Sequence, residues 1–463
     1  MILRRLVRAA VALAALAIAG GPWAYDRLFP PATAFASDLE HFKYGSVGVE
    51  SAAGVPYEIW RALPRACAGK TDARAAYGEF GLIWEPRRAT PIGMPLETAI
   101  VPRVGVNCAL CHVGQVEGPQ GKVLTLAGAP NTRFDLQRYL GFLFDCAQGP
   151  NFTADAILAA NAAEGGKLGP LDREIYRRLI VPQTRKALLR QRRELSFMAG
   201  QTAWGPGRAA GFQPAKAQVL RQPFDGTLDV VDIPSLWAMG ARDGQGLHWD
   251  GANTSLHEVF LNSGIGNGAS GASLNRPYLD RNEAWTRTLR PARYPFAIDR
   301  TLAAQGEPVF ARDCGQCHAP GGLKTGQVIP IRTLGTDRNR LDSMTAETVA
   351  RFNSLDGYAW RYSHFRKTRG YVAAPLDGIW ARAPYLHNGS VRTLAQLLQP
   401  PDRRAASFRR GSPRYDPAAM GFADAGPGVL DTAEPGNAAS GHLWGTALAD
   451  GERTALIEYL KTL

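Results

Sequence analysis

The sequence predicts a mainly α-helical chain built as two domains with extensive loops. Three observations carry that expectation. The pattern Cys-x-x-Cys-His occurs twice, at Cys108, Cys111 and His112 and at Cys314, Cys317 and His318, about 200 residues apart. The last stretch, residues 450–463, puts Leu456, Tyr459, Leu460 and Leu463 on one helical face. Glycine and proline are abundant, 50 and 32 among 463 residues, which suits much loop and opposes a coiled coil. Length alone allows two or three domains with a sizeable core.

Along the chain, residues 1–35 read as a leader. Arg4, Arg5 and Arg8 precede an apolar run from Ala9 to Ala19, the length of a secretory h-region and short for a membrane span. Cleaved export is the first expectation, placing the protein in the periplasm or outside the cell; an uncleaved N-terminal anchor is the alternative. Residues 36–300 form the expected N-terminal domain. Its first part, to about residue 98, mixes polar turns with short apolar runs. Residues 135–144 read as helix, and so do 172–199, where Pro182 should start or kink the second part. The Gly/Pro-rich 204–214 turns the chain. Residues 289–300 read as a link, and 301–463 as the second domain, opening on a helix near 301. Asp450 is placed to cap the final helix.

The formal charge is +12, of which the leader contributes a net three. The basic residues are scattered, as in 185–193, without aromatic interleaving, so no nucleic-acid partner is expected. No dinucleotide fingerprint or phosphate loop is present.

Cys-x-x-Cys-His is the attachment signal for c-type haem. Two thiols add to the porphyrin vinyl groups, and the adjacent histidine reaches the iron. A redox dithiol or half of a zinc site would use the cysteines but neither histidine. Two covalently bound c-type haems are therefore expected, on Cys108, Cys111, Cys314 and Cys317, with His112 and His318 as proximal iron ligands. Each domain then reads as cytochrome c-like. The remaining cysteines, Cys67 and Cys146, are expected to form a disulfide across the first motif in an oxidising compartment. Two separate buried thiols are the alternative.

With these motifs stand IPSLWAMG…LHWDGA (233–252), APYLHNGSVRTLAQLL (383–398) and the terminal GHLWGTAL…ALIEYLKTL. Together they resemble the dihaem cytochrome c peroxidase and MauG superfamily over roughly residues 36–463. The branch most similar holds the rubber oxygenases and related dihaem oxygenases, whose members are often considerably longer. The resemblance implies two cytochrome-like domains against each other, a reactive N-terminal haem and a C-terminal haem that handles electrons. It gives Trp249, in Trp249-Asp250-Gly251, a bridging role between them; a packed core tryptophan is the competing reading.

The resemblance also makes His442 the distal ligand of the C-terminal haem, where peroxidases of the superfamily carry Met and MauG-like members Tyr. A surface histidine in a Gly-rich turn is the alternative, with Met344 and Met420 as fallback ligands. His387, in PYLHNGS, is implied to line the haem environment without ligating iron. Bis-His ligation would close the C-terminal iron, leaving chemistry to the N-terminal haem. Peroxidases of the superfamily carry a distal Glu some twenty residues after the bridging Trp. The matching stretch here, 262–275, has no Asp or Glu. His257 is a weak distal candidate, and Phe260 and Leu261 are candidate pocket walls. An apolar pocket suits dioxygen, so the first reading is an oxygenase acting on an unsaturated apolar or aromatic substrate. A hydrogen peroxide-using peroxidase or MauG-like oxidase is the second, and a dihaem electron carrier the third. A periplasmic electron donor or acceptor is the expected partner. An inter-domain calcium ion is common among family peroxidases, but no acidic cluster in the sequence identifies its ligands.

Overall fold

The computed structural model describes residues 33–97 and 101–463. Residues 1–32, and with them the expectation of export or anchoring, lie outside that range. Among the described residues no helix is long and apolar enough to cross a membrane.

The architecture is mainly helical, with short antiparallel strand pairs between the helices. The helix read at 135–144 runs over Leu136–Gln148, and Asp135 caps it by accepting from the Arg138 amide at 3.0 Å. The region read at 172–199 is helical from Pro170 to Glu194, with a wider turn over Tyr176–Ile180. Pro182 explains that turn, because it has no amide to donate to the Arg178 carbonyl one turn back. The link ends at Asp299, whose carboxylate caps helix Arg300–Asp313. The final helix spans Asp450–Leu460. Its cap position is Ala449, not Asp450: Asp450 is the first helical residue, and Glu452 accepts from the Ala449 amide. Asp450 still lies at the positive end of the helix dipole.

Helices Arg300–Asp313 and Asp450–Leu460 pack closely, because Gly306 brings its backbone against the Ala455 carbonyl, where a Cβ would collide. This crossing fixes the segment that leads into Cys314. The apolar cores cross residue 300 in both directions. Val116, Leu126 and Trp237 belong to the cluster of Phe310, Trp380 and Leu456. Met344, Phe352 and Phe365 belong to that of Phe42, Phe212 and Phe260. The hairpin Val113–Glu117/Val123–Ala127, which follows His112 directly, carries part of this shared packing.

Cys67 and Cys146 are bonded, with Cα atoms 5.5 Å apart and a sequence separation of 79. The bond joins the ends of helices Tyr57–Ala68 and Leu136–Gln148. For a loop of that length, chain entropy alone gives about 4–5 kcal/mol, and measured losses run at about 2–5 kcal/mol. Replacing both cysteines by alanine is expected to lower the unfolding free energy by that amount. Denaturant titration of the double variant checks it.

Candidate haem centres

Each Cys-x-x-Cys-His motif folds as a single helical turn, Ala109–His112 and Gly315–His318. The His112 amide donates to the Cys108 carbonyl and the His318 amide to that of Cys314, both at 3.0 Å. This winding puts both thiols and the imidazole of a motif on one side. All four thiols are free. Burial pushes Cys111 up to about 12 and Cys108 and Cys314 up to about 11. Such thiols are not the acidic, exposed nucleophiles of a redox dithiol. Nor do the two pairs meet as a zinc site: among the described residues the metal-competent grouping is His257, Asp280 and Glu283.

Both proximal candidates are oriented in the same way. His112 Nδ1 lies 3.0 Å from the Pro234 carbonyl, and His318 Nδ1 lies 2.7 Å from that of Ala374. A carbonyl only accepts, so each Nδ1 carries the proton and each Nε2 is left with its lone pair for a metal. Burial lowers both imidazoles, His112 to about 4, which keeps them neutral.

An apolar cavity opens beside the second motif. Its walls include Cys314, Cys317, His318, Leu456, Trp249 and His442. The His318 and His442 ring centroids stand 6.3 Å apart. A metal–nitrogen bond of about 2.0–2.1 Å on each side, plus about 1.1 Å from nitrogen to centroid, requires about 6.3 Å. The donor set and its spacing therefore fit an iron held between the two imidazoles. His442 is neutral, lowered to about 4 first by burial and then by His318. Its backbone is left-handed, φ 49°, a conformation that costs a non-glycine residue about 1 kcal/mol or more. The Leu334 carbonyl accepts its amide, and Arg404 reaches its carbonyl at 3.2 Å. Met344 and Met420 are buried in the two cores, and neither lines the cavity.

His387 lines the same cavity but is engaged elsewhere. It stacks on Tyr371 with centroids 4.0 Å apart, and its Nε2 meets the Tyr371 hydroxyl at 2.9 Å. Trp249 lines the same cavity. Its indole N–H donates to the Asp232 carbonyl at 2.8 Å, two residues before the Pro234 carbonyl that orients His112. The rest of Trp-Asp-Gly holds it there. Asp250 is buried against Arg340 at 3.4 Å, and Arg340 also binds Asp229 at 2.6 Å. Gly251 takes φ 68°, where a Cβ would lie 2.6 Å from Val328. The Arg340 pairs were not visible in the sequence, because their members lie about 90 and 110 residues apart.

Around the first motif, Phe260 and Leu261 are buried on helix Leu256–Gly266, in the cluster that contains Ala109 and touches Cys108. The structure does not bring His257 to that cluster's interior. Its side chain is 43% exposed and pairs with Glu283 at 2.9 Å. Glu283 is also neutralised by Arg287 at 2.7 Å, which makes this grouping a poor seat for calcium.

Residues 370–409 match the family described as RoxA-like, cytochrome c-like. That segment supplies Tyr371, Tyr385 and His387 of the cavity wall and the Ala374 carbonyl that orients His318. It supports a c-type haem in a cytochrome c-like domain. Two proteins of Sinorhizobium fredii are similar. The uncharacterized protein y4iJ is 31% identical over 38% of this chain and 41% of its own length. The uncharacterized protein y4iM is 31% identical over 54% of this chain and 71% of its own length. The chain belongs to the family of y4iM, and its residues 370–409, which form part of the C-terminal cavity wall, are RoxA-like and cytochrome c-like.

Proposed function

We propose that this chain is an exported dihaem c-type oxidoreductase, an oxygenase whose open centre is the N-terminal haem. When bound, the haems would supply one-electron redox chemistry and, at an iron with a free axial position, a site for a diatomic ligand. The observation that carries the reading is an asymmetry. His318 faces a second imidazole at a spacing suited to one metal ion; among the described residues, no other histidine ring pairs with His112 in this way. The C-terminal centre is then closed and suited to electron transfer. The residues around the first motif are apolar, Phe260 and Leu261 among them, which favours an apolar organic substrate. Trp249 joins the two centres. Its ring lines the C-terminal cavity, and its N–H reaches the Asp232 carbonyl, two residues before the Pro234 carbonyl that meets His112.

The test is carbon monoxide binding by the reduced, haem-loaded chain, followed by visible absorption and EPR. One CO per chain is expected, with the C-terminal centre remaining six-coordinate and low-spin. A chain that binds none is an electron carrier. Rapid turnover of hydrogen peroxide without a dioxygen-dependent product would favour the peroxidase.

A further inference from the structure

Two arginines stand close together beside the C-terminal cavity, and neither holds a carboxylate. Arg382 lines the cavity. Its Nη1 donates to the Pro375 carbonyl at 2.8 Å and its Nη2 to that of Asp377, while Nε is buried without a partner. Arg242 is 9% exposed; its Nη1 donates to the Gly246 carbonyl at 3.2 Å, and its Nε is also buried without a partner. Burial is the first cause that lowers both, Arg382 to about 9 and Arg242 to about 10, and the charge of Arg242 lowers Arg382 further. Carbonyls satisfy N–H groups but bring no net charge.

The described residues around them do not balance the charge. The carboxylate that acts on both arginines is Asp377, at longer range than an ion pair. One carboxylate between two guanidiniums leaves a positive charge over, and an unbalanced charge away from water is costly. The other ionisable groups on the cavity wall do not supply the anion. Asp313 is taken by Arg312 at 2.7 Å. Burial holds Tyr371 and Tyr385 far above the usual phenol range and brings His387 and His442 down to about 3 and about 4, so all four are neutral. The charge of Arg382 also lowers His318, which places the guanidinium near the imidazole expected on the iron.

We propose that Arg382, backed by Arg242, is the seat for a carboxylate side chain of the haem, and that its charge raises the reduction potential of the C-terminal centre. The proposal rests on a haem filling this cavity, as in the reading above. A haem carries two carboxylate side chains, and a guanidinium pairs with a carboxylate both by charge and by directed N–H bonds. A positive charge held near the iron disfavours the oxidised state, which bears one charge more than the reduced. Arg382 thus opposes the lowering that two imidazole ligands bring. Its two carbonyl acceptors lie at 375 and 377, directly after the Ala374 carbonyl that meets His318. One side chain therefore holds the carboxylate and braces the loop that orients the axial imidazole.

The test is a spectroelectrochemical titration of the low-spin centre in the full haem-loaded chain. Arg382→Gln keeps donors for the carbonyls and removes the charge; Arg382→Lys keeps the charge and loses the planar fork. The potential is expected to fall in Arg382→Gln, to fall less in Arg242→Gln, and to stay near the wild-type value in Arg382→Lys. The resonance Raman bending band of the haem carboxylates should shift in Arg382→Gln. Covalent haem per chain and the low-spin signal report whether each variant has folded. A potential that Arg382→Gln leaves unchanged overturns the proposal. So does an equal fall in Arg382→Gln and Arg382→Lys, which would make Arg382 a brace for the loop alone. If Arg382→Gln does not fold, an unchanged potential in Arg242→Gln overturns it instead. If peptide mass shows no haem on Cys314 and Cys317 of the wild type, the dihaem reading falls and the proposal with it. A loaded wild type whose potential does not respond to the variants defeats the proposal and leaves the dihaem reading standing.

Discussion

On the dihaem reading proposed above, replacing Cys314 and Cys317 together by serine is expected to lower covalent haem from about two per chain to about one. The low-spin signal of the C-terminal centre should go with it. Pyridine haemochrome absorbance against protein mass measures the first, and EPR the second. The effect should extend to folding, because the haem would fill a cavity walled by Leu397, Leu456, Leu460 and Ile379. An unfilled apolar cavity costs roughly 24 cal/mol per Å³. The matching change at Cys108 and Cys111 should leave the low-spin signal and remove carbon monoxide binding. Because the apolar clusters run across residue 300 in both directions, each pair of substitutions is also expected to lower the stability of the other half. Loss of both haems from either pair alone would mean that the two halves load as one unit.

The features legible in the sequence were those that short-range chemistry fixes. Two thiols and an imidazole must share one turn to meet a porphyrin, and both motifs form such a turn. A proline within a helix has no amide to give, and Pro182 follows a widened turn for that reason. Helices with strong cap residues, such as those opened by Asp135 and Asp299, begin where the sequence places them, within a residue or so. At Ala449 that reasoning misplaces the cap by one residue. The pairing of Glu452 with the cap amide, three residues on, was the better signal there.

What the sequence concealed were pairings set by tertiary approach. Nothing near Asp229 or Asp250 announces Arg340. Glu50 looks like an ordinary surface acid until Gly105 is seen to make room for it. His257 was a weak distal candidate because it follows Trp249 closely, with a surface place on a helix as the other reading, and the helix does turn it outward to Glu283. Sequence distance from a motif is a poor guide to which face of a helix a residue occupies. Burial of the apolar positions decides that, and on helix Leu256–Gly266 the inward positions are Phe260 and Leu261.

His442→Gly is expected to open the C-terminal iron and is a cleaner test than alanine. The backbone at His442 has φ 49°, which glycine adopts without strain, so the variant should fold and could gain up to about 1 kcal/mol from that position. Loss of the imidazole should convert the low-spin signal to high-spin, admit a second carbon monoxide per chain, and raise the reduction potential by something on the order of 100 mV. Added imidazole should restore the low-spin signal, since the vacated space faces His318 across 6.3 Å between ring centroids. A His442→Gly chain that stays low-spin would require another ligand. Met420 is wholly buried in the core and does not line the cavity, so such a result would demand movement of the strand pair around it. A histidine at a left-handed position that favours glycine argues against a packing role. An imidazole held there at a cost in backbone strain, with its ring centroid 6.3 Å from that of His318, suits a ligand position.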